Sequence, residues 1–158
     1  MLKNLGLLYF MLPMVVHANP TIDNAAMAIY QTEDDFETVK ENAKMAIMDQ
    51  GLIISNTLHI SEMLTRTGED LGFPNAVYEQ AEALEFCSAR LSHLMAQAGP
   101  MNLTACPFTI AIYTLPNQAD TVFLAFRKPQ LLGDEKAVAT ATQAVNKLLK
   151  EIAEASIE

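Results

Sequence analysis

Tryptophan is absent from this sequence, and its ten lysines and arginines are scattered rather than clustered. Without a basic stripe, or aromatic and arginine side chains set out as stacking platforms, the chain lacks the footprint of a nucleic-acid binder or of a protein drawn to anionic membranes. Nineteen acidic residues leave a formal net charge of −9, which the demands of solubility explain. There is no C-x-x-C-H, so covalent c-type haem attachment is excluded, and no C-x-x-C to depress a thiol pKa. A G-x-S-x-G elbow, a phosphate-binding glycine loop and EF-hand spacing are all missing as well. Beyond residue 18 no run is long and apolar enough to insert in a membrane. No set of residues carries a catalytic signature.

What is present begins with "MLKNLGLLYFMLPMVVHANP". Lys3 precedes an apolar run from Leu5 to Val16, and Val16-His17-Ala18 puts small residues at the two positions a signal peptidase reads. The pattern predicts a cleaved secretory signal over residues 1–18 and a mature protein exported to a periplasm. Cleavage leaves 140 residues (158 − 18), which suits a single domain over residues 19–158 with a real core. The removed piece contains Lys3 and no acid, so the net charge moves from −9 to −10.

Along the mature chain, "AAMAIYQT" (Ala25–Thr32) reads as a strand. In "DDFETVKENAKMAIMDQG", Asp34 is placed to cap a helix, with Glu37 three residues on as in a capping box. Phe36, Val39, Ala43, Ala46 and Ile47 make one face of that helix and Gly51 closes it. "LIISNTLHI" (Leu52–Ile60) alternates, with Ile54, Leu58 and Ile60 on one side and Ser55, Thr57 and His59 on the other. Ser61–Leu71 reads as a short helix ended by "GFPN", and Leu91, Leu94, Met95 and Ala98 mark another, stopped by Gly99-Pro100. Between them, Ala76–Phe86 suits either a helix or a strand. "FTIAIYTL" and "TVFLAF", joined by "PNQAD", form a hairpin. A long helix starts at Asp134, with Val138, Ala141, Val145, Leu148 and Ile152 on one face. The expected class is α+β, a two-layer sandwich of a mostly antiparallel sheet with helices on one face.

The stretches "TEDDFETVKENAKMAIMDQGLIISNTLHIS" and "EFCSARLSHLMAQAG…CPFTIAIY", with the acidic hairpin and "FRKP" after them, resemble the DUF302 family. The similarity runs from about Ala25 to Glu151. It implies a β-α-β-β-β-β-α sandwich of TATA-binding-protein-like fold, often a homodimer, and makes Ala81–Cys87 a strand. No common activity is established for the family, so it supplies no catalytic residue. Where many members follow the position of Cys87 with Asn-Pro, this chain has Ser88-Ala89.

With Ala81–Cys87 as a strand, Cys87 ends it and Cys106 precedes the next. Consecutive antiparallel strands bring such ends together. Three readings of Cys87 and Cys106 stay open: a structural disulfide, two unpaired buried thiols, or a working redox or metal site. After cleavage His59 and His93 are the only histidines. His93 falls on the polar side of its helix. His59 ends a strand on a polar face that could form a shallow ligand cleft, four residues before Met63. Imidazole and thioether suit haem iron or copper, so His59 and Met63 form the candidate ligand or metal pair. Asn102-Leu103-Thr104 fits a glycosylation sequon that reads as a chance match. The sequence therefore points to an exported, non-catalytic binding or accessory module for a small molecule or protein partner. The alternatives are a haem or transition-metal protein centred on His59 and a thiol redox protein using Cys87 and Cys106.

Overall fold

The computed structural model describes residues 19–158, so the expected signal over residues 1–18 lies outside the described residues. The elements, in order, are β1 (Ile22–Asp23), β2 (Met27–Thr32), α1 (Phe36–Asp49), β3 (Ile54–His59), α2 (Ile60–Gly68), β4 (Gln80–Phe86), α3 (Ala89–Ala98), a 3-10 turn (Pro100–Ala105), β5 (Phe108–Leu115), β6 (Gln118–Arg127) and α4 (Glu135–Ser156). The strands form one antiparallel sheet in the order β1-β2-β6-β5-β4-β3. The expected α+β architecture is there, and the ambiguous middle stretch resolves as strand β4. The sequence reading lacked β1, which hides in the polar leader and adds an edge strand to β2.

Period-two burial decides which face is covered. Tyr30, Leu84, Phe86, Ile110, Ile112 and Leu124 are fully buried on one side of the sheet, with Tyr30, Leu124 and Ile112 in one cross-strand row, Leu84 opposite Ile110, and Phe86 opposite Phe108. Helices α1, α3 and α4 cover that side. Val39, Ala43 and Ile47 come from α1, Leu91 and Met95 from α3, and Val145, Leu149 and Ile152 from α4. Helix α2 stands apart from this layer. It rests against β4, with Ser61 Oγ donating to the Ala81 carbonyl, and none of its residues is buried.

Local signals fix the helix ends. The cap of α1 is Asp35, whose carboxylate accepts from the Thr38 N–H at 2.9 Å, rather than the expected Asp34. Asp34 is taken up one turn earlier, accepting from the Thr32 hydroxyl. The Thr38 hydroxyl and N–H hold the Asp35 carboxyl below the usual carboxylate range. Asp134 caps α4 as expected, and Ser88 caps α3 by accepting from the Leu91 N–H.

One buried amide ties the 3-10 turn to its surroundings. Asn102 is 3% exposed; its Nδ2 donates to the carbonyls of Met95 and Leu132, and its Oδ1 accepts from the Leu132 N–H. The carboxamide nitrogen that a glycan would need is thus buried and engaged, which agrees with reading the sequon as chance. Close by, Gly133 has φ +129°, and a Cβ there would lie 1.8 Å from the Ala98 carbonyl oxygen. Only glycine lets the start of α4 approach the end of α3 so closely.

Candidate functional site

Strand β3 does not keep one alternation. A bulge between Ile54 and Asn56 shifts its phase, so Ile54 lies opposite the core residue Phe86 while Leu58 lies opposite Ala83 on the other face. Ile54 and Leu58 therefore face opposite sides, against the expected common face. The same shift puts His59 opposite Glu82, on the helix-covered side rather than over the open face.

His59 occupies the N-cap position of α2 without a side-chain capping bond, is half exposed, and holds Nδ1 3.8 Å from Glu82 Oε1. Glu82 is shared with α1, because Lys40 Nζ donates to Glu82 at 3.2 Å and to Glu37 at 2.9 Å. Desolvation pulls the Lys40 pKa down, but hydrogen bonds and charge from Glu37 and Glu82 outweigh it and hold the group above its usual value. Lys40 stays a cation at neutral pH, unlike a nucleophilic lysine, whose pKa must fall. Its ammonium also lies 5.5 Å over the Phe36 ring. This chain of charges anchors α1 to β4, the strand next to the sheet edge.

Met63, one helical turn beyond His59, is exposed. Among the described residues no group of three or more His, Cys, Asp or Glu side chains is arranged to hold a metal ion. His93 is exposed, on the outer side of α3.

The two cysteines do meet. Cys87 follows β4, Cys106 precedes β5, their Cα atoms are 6.0 Å apart, and their sulfurs lie at bonding distance. The reading of two unpaired buried thiols does not hold: Cys87 is exposed, and Cys106 is half-buried with the Ser92 hydroxyl 3.8 Å from its sulfur. A bond closing a loop of this size stabilises by about 3 kcal/mol on the chain-entropy model.

The sheet face turned away from the three-helix layer has an apolar middle, where the alternation in β3 suggests a polar face, and is bordered by Gln31, Arg127, Glu85 and Asn56. One cross-strand row runs Ile29, Ala125, Ala111, Ala83, Leu58. Three adjacent alanines make a low floor, and beside it Tyr113 stacks on Phe123 with ring centroids 5.1 Å apart. Tyr78, from the chain leading into β4, meets the edge of Tyr113 at 5.4 Å. Burial, and then the neighbouring Tyr78, push the Tyr113 hydroxyl pKa up.

Tyr78 also belongs to a hollow that sequence inspection misses. Residues 69–78 fold back along α2 and enclose a space of about 540 Å³, open to solvent, with Leu64, Leu71, Phe73 and Val77 in its wall. His59 and Met63 are not among its lining residues. A signal for it does exist in the sequence: Leu71, Phe73 and Val77 are large apolar residues in a stretch rich in turn formers, with no periodic element to bury them.

Among the described residues no helix is long and apolar enough to cross a membrane. Comparison with curated proteins gives no match. The fold is similar to the crystal structure of an uncharacterized conserved DUF302 protein from Bacillus stearothermophilus. The TM-score is 0.67 at 12% identity, over 84% of this chain and 98% of that one. The family described as "Domain of unknown function DUF302" matches residues 28–156, from the first long strand to the last turn of α4, and the chain belongs to that family.

Proposed function

We propose that the protein is an exported, non-catalytic binding or accessory module whose working end is formed by β3, α2 and residues 69–78. The observation that carries this reading is the uneven placement of apolar surface. Leu71, Phe73 and Val77 are 67%, 73% and 62% exposed and line one hollow together, whereas other exposed apolar side chains, such as Ile53, Met48 and Leu103, lie outside it. Large apolar side chains gathered on one exposed surface mark interaction sites more often than they serve the fold. The signal pattern over residues 1–18 supports export to a periplasm. The open sheet face offers a homodimer a surface, and sedimentation of the mature chain tests that part separately.

Native mass spectrometry of protein exported to a periplasm, alkylated beforehand, tests the reading. A chain starting near Asn19 that retains a small-molecule mass, or that carries a bound protein, supports the module. A bare chain that also captures nothing from periplasmic extract overturns it.

A second reading is a thiol redox protein, favoured by one observation: the Cys87–Cys106 pair lies at the surface, where a reductant can reach it. Cycling of the pair with a dithiol reductant in the folded state supports that reading. A bond inert until the chain unfolds removes it.

A further inference from the structure

The hollow beside α2 is a built feature rather than a gap left by poor packing. The Phe73 N–H donates to the Gly68 carbonyl at 2.7 Å, and a Cβ on Gly68 would lie 2.6 Å from the Phe73 carbonyl oxygen. Only a residue without a side chain lets the returning loop come so near the helix end. Leu71 and Gly72 add backbone hydrogen bonds to the carbonyls of Gly68 and Glu69, so the loop is held at its near end. At its far end Tyr78 is fixed against Tyr113, and the Glu79 N–H donates to Thr114. The wall between these two fastenings is apolar, and its volume of about 540 Å³ falls in the range of sites for drug-sized ligands, roughly 300–1,000 Å³.

The polar groups in the wall constrain what can enter. Of the hydroxyls, Ser61 donates to the Ala81 carbonyl and Thr67 to the Met63 carbonyl, which leaves the Thr65 hydroxyl and the Asn75 carboxamide as the uncharged polar groups a ligand can meet. Glu69 is the one ionisable side chain in the wall apart from the Tyr78 phenol, and it is exposed; no lysine, arginine or histidine lines the hollow. With no cation in the wall itself and a net charge of −9 on the whole chain, an anion finds no partner inside the hollow. A cation would meet only a solvated carboxylate, which contributes little.

Resting on the binding-module reading and naming its ligand class, we infer that this hollow takes an uncharged, largely apolar small molecule. Its ring system or hydrocarbon body covers Leu64, Leu71 and Val77 and lies against the rings of Phe73 and Tyr78. The ligand gains by removing side chains from water that the fold itself leaves exposed, and it needs few directed hydrogen bonds.

Titration of the mature chain with N-phenyl-1-naphthylamine, a neutral fluorescent probe, tests the inference, with 1-anilinonaphthalene-8-sulfonate as an anionic probe of related skeleton. Saturable binding of the neutral probe, one per chain, at least tenfold tighter than the sulfonate, is expected. Leu64→Asp should weaken it at least tenfold, while Met48→Asp on the exposed side of α1 should leave it unchanged. If Leu64→Asp does not fold, Val77→Ser in the loop carries the same test. Equal binding of both probes, no saturable binding, or neutral-probe binding untouched by the Leu64 and Val77 variants overturns the inference. Those outcomes leave the module reading standing wherever the exported protein still retains a ligand or a partner in native mass spectrometry.

Discussion

The two ends of the sheet are made to different rules. At the β2–β6–β5 end the residues of the covered face find partners on α1 and α4, and Tyr30, Ile110, Ile112, Val122 and Leu124 are fully buried there. At the β3–β4 end the sheet stops against α2, which has no buried residue, and a loop that keeps its large apolar groups in contact with water. Both ends are well defined in backbone terms, because glycines and hydrogen bonds hold the second as surely as side-chain packing holds the first. Order in α2 and residues 69–78 therefore does not come from burial, unlike that of β4, whose Leu84 and Phe86 are core, and the apolar side chains of the loop stay exposed.

Substitutions separate the two regimes. Leu124→Ala, at the centre of the covered face, should cost about 2–5 kcal/mol in urea unfolding because the cavity cannot collapse. Replacing both cysteines by serine should lower stability by about 3 kcal/mol, with reductant having no further effect on the variant. Asn102→Ala removes three hydrogen bonds, leaving the Leu132 carbonyl and N–H without their amide partner while Met95 keeps the Gly99 N–H, and should cost about 1–3 kcal/mol in the same assay.

Alkaline titration gives a smaller effect. Burial first, and then the negative charges of Glu154 and Asp23, push the Tyr30 hydroxyl up to about 12. A raised folded value means the folded chain holds a proton that the unfolded chain releases. The associated stability is complete below pH 10 and is lost as the pH climbs towards 12. Lys40, also raised, acts in the same direction above its unfolded value. The stability of Tyr30→Phe measured against pH should fall less steeply between pH 10 and 12 than that of the parent; an identical slope would sink the assignment. Smallest of all, Leu71→Ala should change stability by no more than about 0.5 kcal/mol. A loss as large as that of Leu124→Ala would show that residues 69–78 are core after all.

Much of this could be read from residue patterns. The long helices announced themselves by caps and by 3.6-residue spacing, and α4 begins at the Asp134 cap that the sequence indicates. The hairpin was equally plain, although its turn is only Pro116-Asn117, with Gln118 to Asp120 already in β6. Strand β4 was ambiguous because Ala, Glu and Leu favour helix, and cross-strand pairing with β5 overrode that preference. The site was much less legible. Period-two logic carried across Ser55 put His59 on the wrong face, since a bulge leaves no signature in composition. The hollow depends on Phe73 returning to Gly68, a tertiary approach that only the folded chain reveals.

The cross-link between Cys87 and Cys106 has a consequence for what a protease can do. The segment it encloses contains α3 and the 3-10 turn, and Asn102 within that segment is bonded to Leu132 outside it. A peptide bond cut between the two cysteines would not divide the polypeptide: both fragments stay covalently joined by sulfur and clasped by the asparagine. Such a nicked chain would migrate as one species on a non-reducing gel and as two after reduction.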